Sequence, residues 1–506
     1  MKIETQLVTA AAKKSLHSFN LGTGRLILAG FLLIAVTCSW LYAGEPRADL
    51  VRHLDHVIKA DDLFAVVKEL SSETYAGRLT GTEGYNKAAD FAARLFKQYG
   101  LLPINPQRRD YFQTFPISYT TVHEGSVTIF LEHKEGQKET INGVYFRNFY
   151  PLNFSGSGDV KGEIVFAGLG VTAPEYGYDD YRGIDARGKI VMIIKGVPRA
   201  KPGQDWSKYD SHRYRTQNAR VHGAVGLLYT HHACANVNGD YLEDFPMVII
   251  TAEVADKILA ANNLSFRKLW DRFDAQANSS YSTGHSAHIK VKSDHFQGEA
   301  RNLLAYIPGS DPRLKDEFIV ICAHLDHCGK WPLFTPGSND NASGTAVVLT
   351  AARALASFPV KPQRSVLFIL FAAEEMGLLG SEYFATHLPT LVKKIKFVIN
   401  LDMVASGEGI FVMRLKNYPA VEPVFHQAVE TLNLQANLSG NQVLENIPFS
   451  DYASFVNKGF PAVSIYSTGS HYGFHTNEDT IAHINPKIME EIGKLVSFMA
   501  HRLANE

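Results

Sequence analysis

The sequence predicts an α/β protein with a mixed, largely parallel sheet, helices on both of its faces, and an inserted β-rich module. After Gly284, apolar strands alternate with helical segments, a pattern typical of a parallel sheet covered on both sides. From about Asn153, short β-runs with Gly and Asp turns, such as "GEIVFAGLG", indicate the module. Before them, "ADDLFAVVKELSS" and "EGYNKAADFAARLFKQYG" place apolar residues at three-to-four spacing, which predicts helices.

The composition is that of an ordinary globular protein, large enough for two or three domains. The chain has 506 residues, of which 45% are hydrophobic and 20% are charged. Because 50 Lys+Arg oppose 51 Asp+Glu, the net charge is -1, and we exclude nucleic acid as a partner. Cys38, Cys234, Cys322 and Cys328 are too few for a disulfide scaffold and show no CxxC spacing.

The amino end is predicted to enter a membrane during export. A basic leader with Lys13, Lys14 and Arg25 precedes the uncharged apolar run from Leu26 to Gly44. This run is long for a signal-peptide core and near the minimum for a spanning helix, so cleavage near Ala43 and retention as an anchor both stay open. In either case we expect a periplasmic or secreted protein, which touches a membrane only through an uncleaved leader.

Acidic and histidine residues follow directly on apolar strands in the last part of the chain. They end the runs "FIVICAHLDH", "SVLFILFAAEEMG" and "IKFVINLDMV", and a fourth strand, "PAVSIYS", leads into "TGSHYGFHTNEDT". Because ligands bind outside the carboxyl ends of strands in open α/β sheets, we expect these side chains on one rim. They are His324, Asp326, Glu374, Glu375, Asp402 and His475, and Asp340 joins them at the start of a helix.

Imidazole and carboxylate without thiolate form a ligand set suited to zinc, or to another divalent transition metal. Two histidines with three carboxylates suit two ions about 3.5 to 4 Å apart, with one bridging carboxylate. Asp340 is the expected bridge, because it lies at a helix start between two strand ends. Asp326, two residues after His324, is expected to accept the second ring N–H of that histidine. One of the paired glutamates can then remove a proton from the attacking water.

Each of these motifs also has a structural explanation. With 20 histidines in the chain, a single histidine is usually a surface or hydrogen-bonded residue, and we assign His327, His471 and His483 to that class. An aspartate that opens a helix is usually a cap, and paired glutamates after a strand are usually a solvated turn. The coincidence of all five motifs in order, each at a strand end or helix start, favours the metal site.

The motifs "AHLDH", "NDNASG", "AAEEMGLLGS", "NLDMV" and "FHTNEDT" resemble those of the co-catalytic di-zinc aminopeptidases, the zinc exopeptidases of the bacterial secreted type. Upstream, "SSETYAGRLTGTEG" resembles the amino-terminal segment of that family, and roughly Val160 to Trp270 resemble its inserted protease-associated domain. The resemblance implies a zinc-exopeptidase fold. We therefore divide the chain into a leader (1–44), the amino-terminal part of the peptidase domain (50–150), the inserted domain (151–285) and the catalytic zinc peptidase domain (286–506).

The resemblance also implies the roles of the site residues. One zinc is served by His324, Asp340 and Asp402, the other by Asp340, Glu375 and His475, and Glu374 is the general base. A cis peptide bond is implied between Asp340 and Asn341. The family often has a tyrosine before the last histidine ligand, where this chain has Phe474; neither Tyr466 nor Tyr472 is assigned the oxyanion role in its place.

The implied activity is removal of the first residue from peptides with a free amino end, whose α-amine is held by the second zinc. Two alternatives stay open. A carboxypeptidase or dipeptidase of the same fold would need a cationic clamp for the terminal carboxylate, and Arg414 is the candidate. A non-catalytic, receptor-like binding protein of this fold is disfavoured, because all five ligands and the base are present.

Overall fold

The computed structural model describes residues 48–105, 109–133, 136–230, 234–260, 264–331, 333–435, 437–439 and 449–506. The predicted leader, residues 1–44, lies outside the described residues. Within these ranges, no helix is both long enough and apolar enough to cross a membrane. Residues 48–54 are the helical, described end of an amino-terminal unit, and residues 55–506 form a second unit.

The second unit contains both of the helices that the apolar spacing predicts. The first two, α1 and α2, coincide with the two predicted segments, and α2 buries Tyr85, Ala88, Ala92 and Phe96 along one face. The α-helices are α1 (Ala60–Leu70), α2 (Glu83–Gln98), α3 (His212–Val221), α4 (Ala252–Leu259), α5 (Phe266–Asp274), α6 (Gly344–Ser357), α7 (Leu379–Thr386), α8 (Glu422–Leu432), α9 (Tyr452–Asn457) and α10 (Pro486–Asn505). Short 3-10 turns cover Glu73–Arg78, Pro174–Tyr176, Ser207–Tyr209, Leu415–Asn417 and Ile481–His483, and a π-helical turn covers Ser338–Ser343.

The strands of the second unit are β1 (Leu102–Pro103), β2 (Phe112–Glu132), β3 (Lys138–Asn142), β4 (Phe149–Pro151), β5 (Gly158–Phe166), β6 (Thr172–Ala173), β7 (Tyr178–Asp179), β8 (Ile190–Ile194), β9 (Gly226–Thr230), β10 (Met247–Ile250), β11 (Tyr281–Ile307), β12 (Glu317–His324), β13 (Lys330–Trp331), β14 (Leu333–Phe334), β15 (Ser365–Phe371), β16 (Lys394–Leu401), β17 (Gly409–Met413), β18 (Asn437–Ser439) and β19 (Ala462–Ser467). One mixed sheet runs through the unit in the order β18-β17-β19-β16-β12-β15-β11-β5-β8-β9-β10-β4, and β1, β2 and β3 join it beside this path. The pairs β6-β7 and β13-β14 form two separate two-stranded sheets. The predicted α/β fold class is confirmed.

Four neighbouring strands of this sheet, β15, β12, β16 and β19, are parallel, and their register aligns their carboxyl ends. His324 pairs with Phe371, and Leu401 pairs with Ile465. Every residue of β15 is buried, so both faces of the sheet are covered at this strand. Buried residues of β12 and β15 pack in one apolar cluster with residues of α7 and α9, and α6 and α10 also contact β12. The packed sheet therefore fixes the rim that carries the predicted residues.

The long strand β11 connects this parallel part to the strands of the predicted inserted domain. Near its end Leu303 pairs with Leu370 of β15, and near its start Ile289 pairs with Val160 of β5. Because the strand runs from Tyr281 to Ile307, it crosses the predicted boundary between residues 285 and 286. The division into domains stays a prediction.

Candidate metal centre

Strand ends and loops at the carboxyl edge of the four parallel strands bring the predicted site residues together. Each loop follows from the strand pattern: β12 ends at His324, Asp402 comes directly after β16, and the loop after β19 carries His475. The glutamates follow β15, and Asp340 lies in the π-helical turn before α6. The peptide bond between Asp340 and Asn341 is cis, as the family resemblance implies.

The two carboxylate oxygens of Asp340 contact two different histidines. Oδ1 lies 3.4 Å from His324 Nε2, and Oδ2 lies 3.0 Å from His475 Nε2. On the first side, Asp402 Oδ1 is also 3.4 Å from His324 Nε2. On the second side, Glu375 Oε2 is 2.9 Å from His475 Nε2. The residues therefore form two donor sets, which share Asp340.

These donor sets fit zinc. Ligand atoms bound tetrahedrally at about 2.0 to 2.1 Å from a zinc ion lie about 3.4 Å from each other, and the four distances between histidine nitrogen and carboxylate oxygen in the two donor sets run from 2.9 to 3.4 Å. His324, Asp340 and Asp402 offer ligand atoms that all lie within 4.8 Å of one another and are buried. Buried carboxylates at this density repel each other, and a divalent cation would offset that repulsion.

The adjacent glutamates have different electrostatic surroundings. Burial raises the pKa of Glu374 well above its ordinary value, although the charge of His324 opposes this shift. Burial and the neighbouring Asp340 would also raise the pKa of Glu375, but the charge of His475 and the hydrogen bond with His327 outweigh them and lower it. Two carboxylates next to each other in the sequence are thus suited to different tasks.

Asp326 lies beside His324, but it contacts the ring through another atom than predicted. Its backbone carbonyl oxygen is 3.2 Å from His324 Nδ1, whereas its carboxylate Oδ1 is 3.7 Å away. The carboxylate instead accepts hydrogen bonds from the backbone N–H groups of Glu374, at 3.2 Å, and Glu375, at 3.3 Å. The prediction of a carboxylate partner for the ring is corrected, because this carboxylate holds the turn that carries the two glutamates.

The other histidine is oriented by a loop from the predicted inserted domain. His475 Nδ1 lies 3.0 Å from the carbonyl oxygen of Ala235, and the N–H of Ala235 donates to the carbonyl of His475 at 2.8 Å. With the proton on Nδ1, the Nε2 lone pair faces Asp340 and Glu375, as a metal ligand requires.

His327, which the sequence assigns to the surface or hydrogen-bonded histidines, contacts the centre. This histidine is fully buried, and its Nδ1 lies 2.8 Å from Glu375 Oε1. Together with Cys328, Glu375 and His475 it forms a further group whose donor atoms lie within 4.8 Å of one another. Its place at the end of β12, three residues after His324, was the available signal. His471 is 3.0 Å from the Asn339 amide through Nδ1, and His483 is exposed.

A cavity of about 820 Å³ opens onto the centre. Asp340, Glu374, Glu375 and Asp402 give it an acidic floor, and no lysine or arginine is among the described residues that line it. Its apolar wall includes Leu378, Met403, Phe411, Met413, Phe449 and Phe474. Tyr466 also lines it, whereas Tyr472 is half-exposed and its ring centroid lies 4.5 Å from that of His483.

Comparison with known proteins identifies relatives of the chain. Residues 302–500 match peptidase family M28. Aminopeptidase YwaD of Bacillus subtilis is 27% identical over 345 residues, which cover 65% of this chain and 66% of that protein. The chain covers less than two thirds of three curated relatives that it matches. The covered share of the relative is 66% in the first, 35% in the second and 60% in the third.

Two solved structures show the same fold. The aminopeptidase from Aneurinibacillus sp. strain AM-1 is 23% identical, with a TM-score of 0.62 over 90% of this chain and 96% of the other. BSAP, a zinc aminopeptidase from Bacillus subtilis, is 21% identical, with a TM-score of 0.58 over 89% of this chain and 96% of the other.

Proposed function

Residues 302–500 of the chain belong to peptidase family M28, and from this premise we propose that the protein is a zinc-dependent aminopeptidase. The family resemblance of the motifs is confirmed. The names of the relatives, an aminopeptidase in one case and a zinc aminopeptidase in another, support this activity. The observation that carries the proposal is the sharing of Asp340 by two donor sets, one with His324 and Asp402, the other with Glu375 and His475.

The chain's own residues divide the work in this proposal. Two bound zinc ions would lower the pKa of a water molecule and polarise the scissile carbonyl. Glu374 Oε2, which lies 4.0 Å from His324 Nε2 in the floor of the cavity, takes the proton of the attacking water and gives it to the leaving amine. Glu375 is unsuited to that task, because His475 and His327 hold its two oxygens.

The charge of the cavity supports cleavage from the amino end. A carboxypeptidase needs a cation for the terminal carboxylate of its substrate, and the described lining offers neither lysine nor arginine. Arg414, the clamp that a carboxypeptidase would need, is buried with its guanidinium carbon 6.0 Å from the ring centroid of Tyr418. The carboxypeptidase alternative therefore ranks second.

Blocking the amino end of the substrate is expected to abolish most of the cleavage. We expect the purified protein to hydrolyse aminoacyl anilides and free-amine peptides, to act poorly on their N-acetylated forms, and to tolerate amidation of the carboxyl end. Amino-acid analysis of the released residue measures the direction of cleavage. Normal turnover of acetylated peptides, with resistance of carboxyl-terminal amides, would establish the carboxypeptidase instead.

Removal of metal is expected to abolish the activity reversibly. Dialysis against a chelator should eliminate hydrolysis of the anilides, and added zinc should restore it, because deprotonated histidine and carboxylate ligands bind the ion reversibly. Metal analysis of the purified protein should give about two zinc ions per chain. Full activity of a protein that holds no metal would exclude this mechanism.

A further inference from the structure

We propose that Arg78 and Asp479 are positioning residues that hold the Asp340 loop, defined here as residues 336–340, in the geometry that both metal sites require. The inference rests on the proposed metal centre. It explains the role of the segment "SSETYAGRLTGTEG", which contains Arg78 and contributes no metal ligand or base to the proposed mechanism.

Arg78 is completely buried, and its guanidinium binds four backbone carbonyls. Nη1 donates to the carbonyl oxygens of Leu70 at 2.7 Å and Pro336 at 2.8 Å. Nη2 donates to that of Gly337 at 2.8 Å, and Nε donates to that of Leu325 at 2.9 Å. All three nitrogens of the side chain are therefore engaged, each by main-chain oxygen.

Three of these carbonyls belong to two of the loops that form the centre, and the fourth, that of Leu70, ends α1. Pro336 and Gly337 begin the Asp340 loop, and Leu325 comes directly after the metal-ligating residue His324. One rigid group thus fixes the spacing between the two backbones. Lysine could not replace it, because its three donors share one nitrogen, whereas the guanidinium presents five donors in a planar fork.

The charge of Arg78 also suits its place. Burial lowers its pKa to about 10, against the opposing charges of Asp479, Asp340 and Asp326, so the group remains a cation at neutral pH. A buried cation among carboxylates reduces their mutual repulsion in the metal-free protein. The loops are then held together before a metal ion binds.

Asp479 binds the same loop from the opposite side. Its carboxylate accepts the N–H of Asn339 through Oδ1 at 2.8 Å and the N–H of Asp340 through Oδ2 at 3.0 Å. Its carbonyl oxygen accepts the N–H of Ser338 at 3.1 Å. Because Asp479 lies in the motif "FHTNEDT", four residues after His475, these bonds also connect the Asp340 loop to the segment that carries His475.

The loop is therefore held by a guanidinium that donates to its carbonyls and by a carboxyl group that accepts its N–H groups. The precision matters, because Asp340 must present one oxygen to His324 and the other to His475 at 3.4 and 3.0 Å. A functional group held more loosely than about 0.5 Å loses its productive geometry. Loosening this loop should weaken both metal sites at once.

The test is zinc affinity, measured by competition with a chelating dye of known affinity. We expect Arg78→Lys and Asp479→Asn to bind zinc about 10-fold to 100-fold more weakly, and the rise in Tm on adding zinc to shrink accordingly. In the double variant, the loss should be smaller than the product of the two single losses, because both residues hold one loop. Arg313→Lys and Asp316→Asn, at exposed positions, are matched controls with wild-type affinity.

A lower Tm of the zinc-free variants with unchanged zinc affinity would show a merely structural role and overturn the inference. Asp479→Asn preserves the shape of the side chain, so it decides the question if Arg78→Lys does not fold. If the wild-type protein itself binds no zinc, the proposed metal centre fails, and this inference fails with it. If the wild type binds zinc and Asp479→Asn binds it equally well, only the inference fails.

Discussion

Replacing Glu374 with glutamine is expected to lower kcat by about a hundredfold or more while the zinc content stays at the wild-type level. General acid–base catalysis by a positioned side chain contributes about 10²-fold to 10⁴-fold, and an amide cannot take up the proton. Glu374 lines the cavity and belongs to neither of the two donor sets that share Asp340. Steady-state kinetics on an aminoacyl anilide, together with metal analysis of the same sample, measures both quantities.

Glu375→Gln is the matched comparison, because it makes the same chemical change one residue later. Its oxygens lie 2.9 Å from His475 Nε2 and 2.8 Å from His327 Nδ1, so the amide should weaken the second site and lower the zinc content. Excess zinc should partly restore the activity of Glu375→Gln and leave that of Glu374→Gln low. A metal-depleted Glu374 variant beside a fully loaded Glu375 variant would show that the two roles are the other way round.

The arrangement of the ligand rim could be predicted, because it follows from local rules. Each strand is a short apolar run, parallel strands end at one edge, and ligands bind at that edge. Histidine and carboxylate at these ends indicate a metal through their donor chemistry alone. His324 therefore lies 3.4 Å from Asp402, and His475 lies 2.9 Å from Glu375, for reasons that the sequence contains.

The contacts that orient these ligands could not be predicted in the same way. Ala235 and His475 are 240 residues apart in the chain, and no periodicity connects them. The peptide carbonyl of Ala235 also has no side-chain signature, because every residue carries one. The same reason explains the correction at Asp326, whose carbonyl faces the ring of His324 while its carboxylate binds backbone N–H groups.

His327 differs from the carbonyls of Ala235 and Asp326, because the sequence shows that it is a histidine but does not show what surrounds it. A histidine at a strand end is compatible with solvent, with a hydrogen bond, or with a metal. Only the packing of the sheet buries its side chain completely and sets its Nδ1 beside Glu375. Burial of this kind depends on which distant residues pack against the side chain. It therefore cannot be predicted from a single sequence.

Replacing Asp340 with asparagine is expected to remove both metal sites at once, the largest loss among the single substitutions considered. An amide offers one uncharged oxygen and one N–H₂ group, so the side that its oxygen faces keeps only a weaker, neutral ligand in place of a carboxylate, and the other side loses its ligand altogether. We expect the zinc content to fall well below one ion per chain. kcat/KM should fall by about a thousandfold or more, because about 4 kcal/mol of transition-state stabilisation corresponds to that factor, and Lewis-acid polarisation alone is worth several kcal/mol.

Asp316→Asn is the control for this substitution, since Asp316 is exposed and should keep both the zinc content and the activity unchanged. Circular dichroism of the zinc-free proteins establishes that the variant is folded. A folded Asp340→Asn protein that retains one tightly bound zinc ion would mean that the two sites do not depend on a common ligand. The contact of one Asp340 oxygen with His324 and of the other with His475 would then no longer support the proposed function.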